Sequence, residues 1–431
     1  MKNKLGWISL PILLLLANLT LAQTSDEPWS PSIFEDASFQ FVSFANLFHE
    51  DHSAVSDEER ASLDTRIVIE NLYDLSDRWS LDIKMSLSQT LPKVRTGALP
   101  SPTDQDPDSP WIDAERFYFS FYTENAEMGL GKAVTEIGYA ELYSPVNRFS
   151  SADYTNPQWP FPRGDYQIQA SWFRGDDQLK FTYFPYQFNS FDPADERWLT
   201  ASGDSDFFID IGVPGIDTEN QDGMLLTYSG TRESFDFFIG GHYGPGGFAV
   251  IQPQASGQTI KRTPTATSIL AGFVSTAGSW SYFGDAIYQD TLNRDDDNFL
   301  RYAVGFSYRE SKIANLINIQ EIRPTVTYSG DYVLDEADPM QTIYSSELAR
   351  VQQDNVLFNL DLILNNEVTI YFGGSYNLSE EDSMQMLGLE YDLTDSVRLR
   401  IRSMAFTGDQ GTQFGRFVEN NFTSIGINYR F

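Results

Sequence analysis

Apolar residues recur at every second position through most of this chain. In residues 79–87 (WSLDIKMSL), Trp79, Leu81, Ile83, Met85 and Leu87 share one face, and Ser80, Asp82, Lys84 and Ser86 share the other. Side chains of an extended strand alternate faces, so this spacing predicts a strand with one apolar and one polar side. The pattern returns at residues 356–364, 368–378, 387–393, 397–407 and 422–431. Weaker versions lie at 39–47, 63–73, 117–121, 166–172, 179–186, 225–229, 235–243, 269–273, 280–288, 302–308 and 322–328. A period of two over so many segments excludes an α-helical protein.

The connections alternate in length as well. Short turns are predicted at residues 76–77, 123–126, 175–178, 230–233, 276–278, 365–366 and 394–396. Between them come long segments rich in Pro, Gly or Asp: 50–61, 92–110, 134–164, 189–222, 244–264, 291–298, 330–354 and 408–421. Short periplasmic turns alternating with long extracellular loops are the layout of an antiparallel transmembrane β-barrel. A soluble sandwich has no reason to keep that rhythm. The expected fold is therefore all-β, with about 18 strands (about 16–18) and an even number of them. A barrel of that width is not filled by its own side chains and holds an aqueous channel unless loops plug it. One connection, residues 310–318, is longer than its place on the short-turn side predicts.

The chain ends supply the cellular context. Residues 1–22 read as a secretory signal peptide: Lys2 and Lys4, an apolar run over residues 5–16, then Thr20-Leu21-Ala22 before the expected cleavage. The run is short for a helix crossing ~30 Å of hydrocarbon, and no Cys stands at the cleavage point for lipid attachment. Residues 23–35 are expected to be a short periplasmic segment and 36–431 the barrel. At the other end (FTSIGINYRF), Ile425, Ile427, Tyr429 and the terminal Phe431 repeat at every second position. This resembles the carboxy-terminal signature of bacterial outer-membrane β-barrels. The resemblance implies Phe431, Tyr429 and Ile427 as the signal read by the barrel-assembly machinery, and the outer membrane of a Gram-negative bacterium as the location.

Composition agrees with that reading. Hydrophobic residues make up 41% of the chain, a bland average that arises when lipid-facing and lumen-facing positions alternate. Phe, Tyr and Trp reach 14%, as expected if rings line both membrane interfaces. The formal charge of −32 argues against nucleic-acid binding. Its acids cluster at 104–108 and 295–297, which places them in solvated loops. No cysteine is present, which excludes disulfides and thiolate metal sites.

Candidate chemistry is confined to the lumen. In residues 397–407, Val397, Leu399 and Ile401 take the lipid face, so Arg398, Arg400 and Arg402 point inward as a ladder able to attract anions. Glu390 and Asp392 face inward on the preceding strand and could instead pair with the ladder. Asp82 and Lys84 are also inward, so the lumen is mixed in sign. The proline-rich segment 134–164, carrying Arg148, Asp153 and Arg163, is the candidate constriction loop. Residues 128–138 (MGLGKAVTEIG) with Asn156-Pro157 resemble the Gly-rich strand and Asn-Pro loop of porin-like exporter barrels of the alginate-export type.

Only three histidines occur (His49, His52 and His242), and no G-x-S-x-G nucleophile motif. No EF-hand spacing is present either. The expectation is a channel without catalysis, cofactor or metal, passing small polar or anionic solutes by passive diffusion. Its expected partners are outer-membrane lipid, lipopolysaccharide and small solutes. The alternatives are an exporter or lipid- or polysaccharide-handling barrel serving an inner-membrane machine, and an adhesin or structural barrel using its acidic loops. Substrate and oligomeric state are not legible in the sequence.

Overall fold

The computed structural model describes residues 37–49, 61–91, 95, 110–153, 161–186, 198, 216–217, 222–253 and 259–430. The signal-peptide expectation, the 23–35 segment, Asn156-Pro157 and Phe431 lie outside the described residues. Eighteen strands form one sheet. They are β1 (Ser38–Phe48), β2 (Ala61–Ser76), β3 (Trp79–Leu91), β4 (Ile112–Tyr122), β5 (Ala126–Ala133) and β6 (Asp165–Arg174). Then come β7 (Asp177–Tyr186), β8 (Gly223–Arg232), β9 (Phe235–Pro245), β10 (Thr265–Ala277), β11 (Trp280–Thr291) and β12 (Asn298–Tyr308). The last six are β13 (Glu321–Asp335), β14 (Asp354–Ile363), β15 (Val368–Asn377), β16 (Ser383–Thr394), β17 (Val397–Thr407) and β18 (Phe422–Arg430).

Each strand pairs antiparallel with its sequence neighbours. β18 returns to β1 with Phe41 opposite Tyr429 and Ser43 opposite Ile427. Closure removes every sheet edge, the condition for backbone to survive in hydrocarbon. The alternation decides which side is which. Leu130, Ile239, Ile269, Leu387 and Ile425 are about half exposed and lie outward, where lipid covers them. Rings gather toward the short-turn end, with Trp79 4.8 Å from Phe121 and Trp280 4.4 Å from Tyr308. That is the position of an interfacial aromatic girdle.

Inside, several rings lie over a glycine directly opposite on the next strand. Phe44 faces Gly426, Phe238 faces Gly272 and Tyr371 faces Gly388. A Cβ on Gly388 would sit 2.1 Å from Tyr371 Cζ, and one on Gly426 2.3 Å from Phe44 Cδ1. The ring therefore occupies the space that a side chain on the partner strand would need.

The connections between strands fall into two sets, at opposite ends of the barrel. At one end only two residues separate β2 from β3, β6 from β7, β8 from β9, β10 from β11 and β16 from β17. Gly175 and Gly278 take φ of 61° and 64° in two of these turns, the left-handed values that tight hairpins require. The 309–320 connection at this end is ordered rather than merely long. It carries the short helix α1 (Lys312–Leu316), and Glu310 accepts a hydrogen bond from the Ile313 N–H at 2.8 Å. Both described ends of the sheet, Ser38 and Arg430, also lie here. The opposite end holds the longer connections, with one exception: five residues, 378–382, join β15 to β16.

Candidate functional site: the occluded lumen

The segment after β5 turns into the barrel and runs along its inner wall. Ile137, Tyr139, Val146 and Phe149 pack against Phe184, Leu225, Phe238, Leu270 and Ile287, contributed by β7 to β11. This apolar cluster lies inside the barrel, where alternation alone would predict polar residues. Polar bonds fix the register of the loop against the wall. Asp285 on β11 accepts the N–H of Tyr139 (2.9 and 3.0 Å) and of Ala140 (2.8 Å). Gly138, with φ 118°, makes the approach possible, since a Cβ there would meet Asp285 Oδ2 at 2.7 Å. Farther along the wall, Glu141 accepts from Ser307 Oγ at 2.8 Å and Thr325 Oγ1 at 3.5 Å. Both partners sit near the short-turn end, so the loop penetrates most of the barrel's depth.

The structure places the three constriction-loop candidates separately. Arg148 donates to Gly246 O (2.6 Å), Gln289 Oε1 (2.5 Å) and Ser268 Oγ (2.8 Å), which clamps the loop to β10 and β11. Arg163 is fully buried, its Nε 2.8 Å from Asp113 Oδ2, and its N–H donates to Ser151 O. Asp153 forms a two-residue bridge with Phe161; its side chain lies outside the described residues. The two arginines are thus anchors, one at the middle of the segment and one at its end.

The wall not covered by residues 137–151 runs from β14 through β18 and β1 to β4, with Phe161 over Arg66 and Arg163 on Asp113 at its far side, and it is charged. In register, Glu390 stands opposite Arg400 and Asp392 opposite Arg398. Arg398 binds Asp392 at 2.5 Å and Glu390 at 3.1 Å, and Arg400 binds Glu390 at 2.9 Å. Arg402 is buried over the Phe422 ring, 5.7 Å from its centroid. Two rungs of the ladder are therefore braced by carboxylates.

Asp82 and Lys84 belong to a second network. Arg116 binds Asp82 at 2.7 Å and Glu70 at 3.5 Å, while Glu115 binds Lys84 at 3.1 Å and Arg66 at 3.6 Å. A register shift at Lys84/Met85 turns the consecutive residues Glu115 and Arg116 both inward, as a bulge does. Asp113 adds Lys132 at 3.0 Å beside Arg163. Sequence reading missed Arg66, Asp113, Glu115, Arg116 and Lys132. Strict alternation assigns Glu115 and Arg116 to opposite faces, and only pairing geometry reveals a bulge.

Among the described residues, the histidines join no constellation. His242 is buried with its ring 4.9 Å from that of Phe149, and His49 Nε2 lies 3.0 Å from Thr423 Oγ1. His52 lies outside the described residues. At the long-loop end a second apolar cluster of Phe48, Met404, Phe406, Phe414 and Phe422 receives Trp198 from the connection between β7 and β8. Trp198 approaches Phe417 at 5.8 Å and Phe48 at 6.2 Å. That connection starts at β7, six to eight strands around the barrel from β1, β18 and β17, which carry the cluster.

No family model and no curated protein matches the chain. Among solved structures it is similar to OccK11 (OpdR) of Pseudomonas aeruginosa, with 10% identity, a TM-score of 0.52, and coverage of 91% of this chain and 95% of that one. A substituted form of the Rh. blastica porin gives 9% identity and a TM-score of 0.44, covering 92% and 99%. A loop-deleted OmpT, an outer membrane protein of Vibrio cholerae, gives 12% and 0.41, covering 92% and 98%. At such identities the OccK11 match shows a shared fold, and the other two are too distant in shape to add to it. The likeness of residues 128–138 to exporter barrels is not shown by the comparisons. Closure, the apolar exterior and this shared fold make the protein a transmembrane β-barrel of the outer membrane.

Proposed function

We propose that the protein is a porin-like channel, passing small polar solutes across the Gram-negative outer membrane by passive diffusion and without chemistry of its own. One observation carries this reading. Residues 137–151 of the inward loop dock on the β7–β13 side of the lumen, which leaves a polar, charged wall facing them. A barrel serving only as an anchor or adhesin has no need of a charged, water-accessible interior. In a low-dielectric bilayer, opposed charges on a pore wall lower the cost of moving a hydrated solute past it. The loop narrows the path and the ion pairs hold the lining side chains still.

Charge selectivity follows from the pairing. Free arginines would favour anions. Arg398 and Arg400 are offset by Glu390 and Asp392, so a weak preference is expected rather than strong anion selection. Reconstitution into planar bilayers tests the proposal. Stepwise conductance that scales with salt is the expected result. A folded barrel that inserts without conducting would favour the adhesin or structural alternative.

A further inference from the structure

The inner faces of β13 to β16, near the short-turn end, enclose a cleft of about 410 Å³. Arg323, Asn359, Asp361, Thr369, Tyr371 and Glu390 line it. Its charges are not evenly matched. Glu390 is held by Arg398 and Arg400. Arg323, the one cation of the lining, stands opposite Asp361 in register. It nevertheless turns to Glu321, with Nε and Nη2 at 3.0 and 2.7 Å from Oε1. Asp361 receives a single bond, from Asn359 Nδ2 at 2.8 Å, and has no ion-pair partner among the described residues. A carboxylate thus faces the channel without an ion pair among the described residues, beside the Tyr371 ring laid across Gly388.

We infer that this cleft is a subsite on the channel wall for solutes bearing a primary ammonium group, a reading that rests on the channel proposal and names a solute class for it. An ammonium carries three donors and no acceptor. The lining supplies acceptors of the kind an ammonium needs: Asp361, the Asn359 carbonyl, and the Thr369 and Tyr371 hydroxyls. The face of Tyr371 adds an attraction open only to cations. An anionic solute would meet Asp361 and Glu390 with no free cation to receive it, because Arg323 is already engaged. Transient occupancy near one mouth suits a diffusion channel, which must let a solute enter and leave.

Putrescine is a suitable probe, measured first by calorimetric titration of the folded, detergent-solubilised barrel and then as block of potassium current in bilayers. Exposed carboxylate–ammonium pairs contribute up to about 1 kcal/mol, so Asp361→Asn should weaken binding about fivefold. Arg323→Ser removes the opposing cation and should strengthen it. Equal titration curves for wild type and both variants, with heat-modifiable migration showing that each is folded, would overturn the subsite. So would absence of putrescine binding to the wild type. Binding that follows Asp361 in a barrel without conductance would uphold the subsite and sink the channel proposal. Conductance with Asp361-independent block would do the reverse.

Discussion

Gly388 shows how much one missing side chain can position. Tyr371 lies where its Cβ would be, and the ring forms one wall of the lumen cleft. Gly388→Val forces the ring off that site, and overpacking of this kind costs about 1–3 kcal/mol. Urea unfolding should show that loss, and an unchanged midpoint would mean that the ring moves freely. Glu390 is the corresponding electrostatic hinge, since it binds two arginines at once. Glu390→Gln should take one carboxylate from Arg400 and from Arg398, which keeps Asp392, and move the reversal potential toward anion preference. The shift should shrink at high salt, where the Debye length falls to ~3 Å at 1 M. No shift in a folded variant would leave the ladder as wall bracing alone.

At the scale of elements, the inward loop hangs on Asp285. Asp285→Ala removes the acceptor of two part-buried backbone N–H groups, those of Tyr139 and Ala140, at about 1 kcal/mol each. The loop should then leave the wall for part of the time, giving noisier conductance with a different mean step. Steady, wild-type steps would place the docking energy in the Val146–Phe149 cluster instead.

The 336–350 segment is held differently. Arg350 joins it to Asp331 at 2.8 Å and Asp297 at 3.3 Å, and Asp296 accepts the Ser346 N–H at 2.7 Å. Burial raises the Asp296 carboxyl above its ordinary value, although the Ser346 bonds and Arg350 oppose the rise. A raised carboxyl binds its proton more tightly when the segment is packed, so packing weakens as pH climbs through the raised value. Protease cleavage within 336–350 should therefore increase from about pH 4 toward neutrality, and Asp296→Asn should flatten that slope. A slope that persists in Asp296→Asn assigns it to another group.

The whole molecule depends on one seam. β18 meets β1 along Phe48↔Phe422 to Gln40↔Arg430, and without it two long edges would stand open in lipid. Changing Tyr429 and Phe431 to Ser should lower the amount of heat-modifiable barrel in outer-membrane fractions. The closing strand would lose part of its lipid face together with the end expected to be read by the assembly machinery. Wild-type levels would count against both roles.

What the sequence determined by itself is the local part of this design. A period of two sorts side chains into two faces without reference to any other strand, which is why seventeen of the eighteen strands were legible from it, while β5 entered only through the resemblance of residues 128–138 to a Gly-rich strand. Glycine-marked turns were legible for the same reason, since a positive φ is a property of one residue. Tertiary structure decided everything that depends on a partner distant in the chain. The Glu115–Arg116 bulge exists only relative to β3, and the docking of residues 134–151 depends on Asp285 and Ser307, more than a hundred residues away. Arg148 and Arg163 had the character of pore-lining charges in sequence. Their acceptors at Gln289 and Asp113 make them anchors instead, because a guanidinium goes where its hydrogen bonds are met.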